Sequence, residues 1–392
     1  MTLLRPLVQA QIPVVVATTD PTDTTLRSRH VKDPCLLPGL EEEGSNESLE
    51  KLVTLAEKLE HRYGAKPPLV YGSDDSLAFI YRHRDVVERH FAVILNDSDV
   101  AESLLYKDTF AELARERGVV IPTALGTGAA LDANLRSFTR PVVVKPRSKV
   151  FWRELKANLF GPNAKALVFA SGRELLSHPA YEQFRGELIV QELIPGDEGQ
   201  LVSFHGFADE RGELLTWFCG RKIRTFPSPT GESSCIELVL DNALREHGMF
   251  VARALGLKGP FKIDMIRDAA TGRCYTLEVN ARFTLWHQLA AADGVNVPHI
   301  AYDYLVAGRR PDGVHYEPRH RWMNLYRDYK SFLQRREEGN LGLWAWVRSV
   351  ASRPAVFESF AWDDPIPALS WFAGMVRAMV DLRLKRFSTA SG

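Results

Sequence analysis

The chain has 392 residues, and its 49 Lys and Arg residues balance 49 Asp and Glu residues, so the formal net charge at pH 7 is zero. Hydrophobic residues make up 45% and charged residues 25%. These fractions are ordinary for globular proteins and argue against a largely disordered chain. The zero net charge argues against nucleic-acid binding through bulk charge. The length predicts two or three domains. A cytoplasmic protein is expected, because the four cysteines lack a C-x-x-C pair and no secretory signal or membrane-length apolar run is present.

The first hundred residues predict alternating strands and helices. Val14–Val16, Leu69–Tyr71 and Phe91–Leu95 are short apolar runs typical of buried strands. Ser48–Tyr63 has apolar residues at helical spacing. The alternation predicts an α/β domain with a parallel sheet over residues 1–100.

Residues 101–310 predict antiparallel hairpins instead. Residues 201–208 and 214–223 alternate in polarity on either side of a turn, and residues 261–267 and 274–280 repeat the arrangement. Two hairpins with an amphipathic helix between them predict an α+β domain.

Residues 311–392 form a C-terminal extension that is rich in tryptophan. Its segments at 341–347 and 369–376 are amphipathic, and the chain end is basic. The sequence leaves two interpretations open: helices that pack over the preceding domain, or a peripheral contact with a membrane surface or a lipid-linked substrate.

Several common motifs are absent. No G-x-x-x-x-G-K-[ST] occurs, which excludes a P-loop. The segment that begins Gly126-Thr-Gly128 resembles a dinucleotide fingerprint but has Leu131 where the third glycine belongs.

The second hairpin carries the most informative set of polar side chains. Lys262 and Asp264 alternate on its first strand, while Glu278, Asn280 and Arg282 alternate on its second. Side chains at alternate positions share a face, so the two sets can converge across the ladder. Carboxylate and amide oxygens suit Mg²⁺, and the cations suit phosphate or a developing negative charge. Taken alone, this pattern also fits a solvated hairpin face.

Further motifs stand in a fixed order around this hairpin. Lys107 begins a helix, Lys145 ends a buried strand, and residues 191–198 run from an apolar strand into a turn that carries acids. This order resembles the ATP-grasp superfamily, and within it the D-aspartate-ligase-like branch of carbamoyl-phosphate-synthase-like carboxylate–amine ligases. The match is strong over residues 100–310 and weaker over the N-terminal region.

The resemblance implies roles for individual residues. The implied ATP-binding residues, which contact phosphates, adenine and ribose, are Lys107, Lys145, Gln191, Glu192, Ile194, Glu198 and Lys222. The implied ligands of two Mg²⁺ ions, which Mn²⁺ can replace, are Asp264, Glu278 and Asn280. Lys262 and Arg282 are implied catalytic residues at the transferred phosphate. The residues expected near a substrate are Arg221, Arg224, Trp286 and His287, with solvent as the alternative for the two arginines. A mobile lid is expected at 147–165.

The resemblance also implies an architecture and an activity. A pre-ATP-grasp domain (1–100) precedes an ATP-grasp domain (101–310) with its hinge near 191–198, and a Trp-rich helical extension (311–392) follows. The expected first strand of the pre-ATP-grasp domain is either lost or lies upstream of the given sequence. The implied enzyme activates a small carboxylate as an acyl phosphate with ATP and joins it to an amine, and a dimer is compatible with it. The alternatives are a non-catalytic nucleotide-binding or scaffold protein, and an enzyme that stops at a phosphorylated product.

Overall fold

The computed structural model describes residues 1–105, 107–147 and 166–374, without the side chains of four residues (Glu42, Leu105, Lys107 and Asp108). Its helices are α1 (Leu4–Gln9), α2 (Glu42–Tyr63), α3 (Asp74–Arg82), α4 (Arg84–His90), α5 (Ser98–Leu105), α6 (Lys107–Glu116), α7 (Gly128–Ser137), α8 (Gly172–Leu176), α9 (Tyr181–Phe184), α10 (Asn242–Ala254), α11 (His287–Ala292), α12 (Val297–Ala307), α13 (Leu325–Glu337) and α14 (Leu343–Ala351). Residues 366–374 are also helical. Its strands are β1 (Ala17–Thr18), β2 (Cys35–Leu36), β3 (Val142–Pro146), β4 (Leu167–Phe169), β5 (Leu188–Glu192), β6 (Leu201–Ala208), β7 (Leu214–Phe226), β8 (Glu232–Val239), β9 (Gly259–Arg267), β10 (Cys274–Asn280), β11 (Arg321–Met323) and β12 (Ala355–Phe357).

The N-terminal region contains helices and short parallel strands, but neither strand coincides with a predicted one, and within the described range 1–105 helices α2 to α5 follow one another without a strand between them. β1 and β2 pair in parallel over two residues, and the predicted strands near residues 70 and 92 meet in parallel only through the bridge between Pro68 and Ala92. Helix α2 ends at Gly64, whose φ of 74° lies in the left-handed region that favours glycine. The apolar runs therefore pack as extended segments between helices, with few ladder hydrogen bonds.

A small antiparallel sheet follows, in the strand order β4-β3-β5. Val142 and Val144 on β3 and Leu188 and Val190 on β5 point to one side and are buried against α7. The side chain of Lys145 alternates with these valines and is half-buried on the opposite face.

The large sheet has seven strands in the order β10-β9-β6-β7-β8-β11-β12. Both predicted hairpins are present, as β6–β7 and β9–β10, and both are antiparallel. The C-terminal extension contributes the last two strands as well as helices α13 and α14. It is therefore part of the sheet.

The two faces of the large sheet are covered differently. Phe204, Ile263 and Met265 pack with α10 on one face. On the other face, Phe218 and Ile236 pack with residues of α11 and α12. Lys262 and Asp264 alternate with Ile263 and Met265, so they lie on this second face. Among the described residues, none of the helices is long and apolar enough to cross a membrane.

Candidate active site

The register of β9 against β10 brings the predicted polar residues together. Glu278 lies directly opposite Asp264, and Asn280 lies opposite Lys262. A shift in register between Thr276 and Glu278 precedes these pairs. Directly opposed residues share a face, so the four side chains form one cluster. The predicted convergence is confirmed.

Short contacts hold the cluster together. Lys262 Nζ lies 2.7 Å from Asp264 Oδ1. Asn280 Nδ2 donates to Asp264 Oδ2 at 3.2 Å and, more weakly, to Glu278 Oε1 at 3.5 Å. Lys262 and Asp264 are 9% and 8% exposed. Asn280 is half-buried, and Glu278 is exposed. The cluster is thus desolvated on the side of Lys262 and Asp264 and open to solvent at Glu278.

The donor set is compatible with a hard divalent cation. Two carboxylates and one amide supply the oxygen ligands that Mg²⁺ prefers. The neutral amide of Asn280 donates to both acids, and the ammonium of Lys262 lies beside Asp264, so the cluster already pairs its carboxylates with a positive charge. Within the described ranges, no three His, Cys, Asp or Glu side chains form a metal cluster, and this set has only two.

Arg282 connects the cluster to the N-terminal region. Its guanidinium donates to Asp74 at 2.7 and 3.4 Å, to the carbonyl of Gly72 at 3.3 Å and to Asn280 Oδ1 at 3.3 Å. Asp74 lies in the first turn of α3. The sequence did not indicate Asp74 as a site residue, because it lies 208 positions before Arg282 and no motif links the two.

Trp286 and His287 lie beneath the cluster. Trp286 is 1% exposed and His287 is fully buried, and the ammonium of Lys262 lies 5.4 Å from the centre of the Trp286 ring. The expectation that both line an open substrate pocket does not fit this burial. They begin α11, whose first residues pack against the sheet.

Two buried imidazoles lie below Lys262. Burial holds the pKa of His205 well below its usual range, and the charge of Lys262 lowers it further. Burial lowers the pKa of His287 to about 4. His205 Nε2 is 3.0 Å from the Ser203 hydroxyl. Both rings are therefore neutral at pH 7, and they add no positive charge beneath the cluster.

The predicted hinge lies at the end of the small sheet. Lys145 Nζ donates to Gln191 Oε1 at 3.3 Å, so two predicted ATP-binding side chains are in contact. Glu192 accepts from the Thr123 amide and hydroxyl at 3.0 and 2.6 Å. Burial raises the pKa of Glu192, but Thr123 and then Arg140 outweigh that effect and the pKa is lowered.

Glu198 is engaged within the fold. It is 3% exposed, accepts from the Thr225 hydroxyl at 2.5 Å and forms an ion pair with Arg335 of α13. A contact with ribose would have to replace one of these partners. Glu198 and Lys222 line the same cavity of about 250 Å³, together with Arg335.

The two arginines of β7 contact acids of the protein itself. Arg221 lies 2.7 Å from the buried Glu237. Arg224 is 4% exposed and makes two bonds to Asp328 of α13, at 2.7 and 2.9 Å. The expectation that Arg224 contacts either a substrate or solvent is therefore wrong. The register shifts between Lys222 and Arg224, so simple alternation fails there.

The other predicted site residues are described only in part by the structure. Ile194 is 5% exposed at the hinge. Lys107 begins α6 as predicted, but its side chain lies outside the described residues. The predicted lid lies outside them as well, apart from residue 147.

Comparisons with known proteins add an independent view. No family model matches the chain. It is 22% identical over 244 residues to the D-aspartate ligase of Enterococcus faecium, a match that covers 60% of this chain and 57% of that protein. The chain thus spans little more than half the length of this curated relative.

Solved structures resemble a larger part of the chain. N5-carboxyaminoimidazole synthetase from Staphylococcus aureus has a TM-score of 0.61 at 12% identity and covers 86% of this chain and 82% of its own. Biotin carboxylase from Campylobacter jejuni scores 0.55 at 15% identity, covering 79% and 69%. The biotin carboxylase domain of Hydrogenobacter thermophilus 2-oxoglutarate carboxylase, solved with MgADP and bicarbonate, scores 0.56 at 16% identity, covering 81% and 70%.

These structural likenesses concern the fold, since each is below 25% identity. They extend over most of the chain, from 79% to 86% of it. The chain therefore has the ATP-grasp fold, and the resemblance that its motif order predicted is confirmed.

Proposed function

We propose that the protein is an ATP-dependent ligase, which activates a carboxylate as an acyl phosphate and joins it to an amine, with release of ADP and phosphate. The observation that carries the proposal is the cluster of Lys262, Asp264, Glu278 and Asn280 on facing positions of β9 and β10. The name of the matched Enterococcus relative, D-aspartate ligase, supports this reaction class.

The chemistry explains why such a cluster is needed. A carboxylate is a poor acyl donor because its leaving group would be oxide, and transfer of the γ-phosphoryl group of ATP supplies a good one. The partners of this transfer are all anionic, so charge neutralisation is the main task of the protein. Asp264, Glu278 and Asn280 would hold Mg²⁺, which when bound neutralises charge on the phosphates.

Three cationic side chains have defined roles in this proposal. Lys262 lies beside the metal-binding carboxylates and stabilises charge on the transferred phosphoryl group. Arg282, which Asp74 fixes from the N-terminal side, orients the acyl phosphate for attack by the amine. Lys145, beside the hinge residue Gln191, contacts the nucleotide phosphates.

The finer parts of the proposal concern partners and cofactors. The MgADP complex of the Hydrogenobacter neighbour supports ATP and Mg²⁺ here, and its description as a dimer supports a dimer. The proposal also includes two metal ions per site, which Mn²⁺ can replace. It further includes small-molecule substrates and a cytoplasmic location. The three-part domain division stays a prediction.

A substrate panel tests the proposal. The full chain is assayed for release of ADP and phosphate with pairs of carboxylates and amino acids, and we expect release that depends on one carboxylate and is completed by one amine. Asp264→Asn and Glu278→Gln should each lower the rate at least about a hundredfold, because each removes a charged metal ligand. Glu246→Ala, an acid of α10 that is 72% exposed, is the control and keeps full activity.

Each other outcome would contradict the proposal. Nucleotide binding without turnover on any pair indicates a scaffold protein. Phosphate transfer that never yields an amide indicates an enzyme that stops at a phosphorylated product. ATP hydrolysis that does not depend on the carboxylate, or that persists in both variants, would show that the reaction takes place elsewhere.

A further inference from the structure

The C-terminal extension exposes large apolar side chains that neither the fold nor the proposed reaction uses. Trp362 is 90% exposed, Trp344 77%, Leu369 64% and Phe372 57%. Isolated exposed apolar residues are ordinary on protein surfaces, but a concentration of aromatic ones in one region marks an interaction surface.

This exposure does not come from a loosely attached extension. On its inner side, Trp346 stacks on Phe332 at 4.8 Å between ring centres and donates to Asp328 at 2.8 Å. Trp322 of β11 is fully buried. The extension is therefore anchored on one side and apolar on the other.

The exposed side chains lie on elements that touch one another. Trp371 of the helical segment 366–374 meets Tyr326 of α13 at 5.9 Å, and Tyr329 of α13 meets Trp346 of α14 at 6.1 Å. Trp362 lies in the turn just before the helical segment. We call the exposed side of these elements, together with this turn, the outer aromatic face; its residues are Tyr326, Tyr329, Trp344, Trp362, Leu369 and Phe372.

Positive charge accompanies this face. Arg348 is exposed on α14, and the ammonium of Lys330 lies 4.6 Å from the centre of the Tyr326 ring. Among the nearby acids, Asp328 and Asp364 are buried, Asp363 pairs with Arg5, and Glu358 accepts from Asn324. Glu337 and Glu338 lie, with Arg336, at the opposite end of α13 from Tyr326.

We infer that the outer aromatic face binds the surface of a membrane that contains anionic lipids. Indole and phenol rings partition to the headgroup region, and basic side chains beside them pair with lipid phosphates. A dry interface with a second copy of the chain would instead desolvate Arg348 next to Trp344, and charged residues are depleted in the cores of such interfaces. The contact is peripheral and is independent of the proposed reaction.

Vesicle sedimentation with the full chain tests the inference. We expect binding to phosphatidylcholine vesicles that contain about one third phosphatidylglycerol, with weaker binding to phosphatidylcholine alone and weakening by salt. The double variant Trp344→Ala/Trp362→Ala should bind at least about tenfold more weakly, because two indole rings no longer insert. Its melting temperature should stay unchanged, since both side chains are exposed.

A matched control separates this face from general hydrophobicity. Tyr63→Ala and Phe250→Ala remove rings that are 57% and 47% exposed outside the extension, and this double variant should bind vesicles like the parent. Absence of vesicle binding, or equal binding by both double variants, overturns the inference. An oligomer that dissociates in Trp344→Ala/Trp362→Ala would identify a second copy as the occupant and would also overturn it.

Discussion

At the scale of single residues, strand alternation predicts most of the polar cluster, but it does not predict the contact that Asp74 makes. Alternation along β9 and β10 predicted that Lys262, Asp264, Glu278 and Asn280 share a face, and the register bears this out. Asp74 could not be predicted in the same way. It lies 208 positions before Arg282, and only the tertiary fold brings the two side chains together.

The contact between Asp74 and Arg282 predicts a specific kinetic effect. In Asp74→Asn the guanidinium loses its charged partner, so Arg282 is held less firmly and kcat should fall about tenfold or more, with a smaller change in KM for ATP. Asp75→Asn removes the same charge from the same helix turn and should behave like the parent. Equal losses in both variants, measured by steady-state kinetics, would contradict a positioning role.

The buried imidazole of His287 predicts a pH dependence of stability. Its pKa is about 4 in the folded protein, against about 6.5 in an unfolded chain. The unfolded state therefore binds the proton first, and stability is lost as the pH falls from about 6.5 towards 4. The loss from this group amounts to about 3 kcal/mol.

Urea unfolding at pH 7, 6 and 5 measures this dependence. The free energy of unfolding should fall with pH in the parent and fall less steeply in His287→Gln, although the buried His205 keeps part of the slope. Identical slopes in the two proteins would show that His287 titrates normally.

At the scale of elements, alternation predicted long hairpins well and short strands poorly. The β6–β7 and β9–β10 hairpins stood out because polarity alternates over seven or more residues. β11 and β12 have three residues each, too few for a periodic signal. They are strands because β11 pairs with the edge of β8, which is a tertiary effect.

The ion pair between Arg224 and Asp328 attaches α13 to β7. Burial lowers the pKa of Arg224, but the hydrogen bonds that Arg224 donates to Asp328 and the negative charge of Asp328 outweigh burial, and the pKa is raised. Arg224→Ala should lower the free energy of unfolding by about 3–5 kcal/mol, because a buried carboxylate is left unpaired. Chemical denaturation is the measurement, with the exposed Arg348→Ala as a control that should change little. Equal stabilities of the two variants would show that the pair does not anchor the extension.

Close packing of α10 on the large sheet gives a further stability prediction. A Cβ added at Gly248 would lie 2.2 Å from Phe204 Cγ, whereas one at Gly186 meets nothing within 4 Å. Gly248→Ala should therefore destabilise the protein by about 1–3 kcal/mol, while Gly186→Ala should not. Thermal melting of both variants decides this, and a stable Gly248→Ala protein would mean that α10 packs less closely.

At the scale of the whole molecule, the N-terminal region and the large sheet meet at the cluster. Arg282 bonds to Asp74, and the Lys258 ammonium lies 2.7 Å from Asp97. The zero net charge of the chain therefore conceals local pairing of opposite charges across this junction. The sequence predicted the motif order and the fold. It did not predict that the extension shares the sheet or that its Arg335 reaches Glu198.

The central claim is that a carboxylate receives the phosphoryl group before the amine attacks. It is tested most directly by labelling the carboxylate oxygens of an accepted substrate with ¹⁸O and analysing the released phosphate by mass spectrometry. When the amine attacks the acyl carbon, the C–O bond to the phosphate breaks and the bridging oxygen, which came from the carboxylate, leaves with the phosphate. Each released phosphate should therefore carry one ¹⁸O atom, in step with amide formation. Unlabelled phosphate, or label found in AMP, would contradict the account.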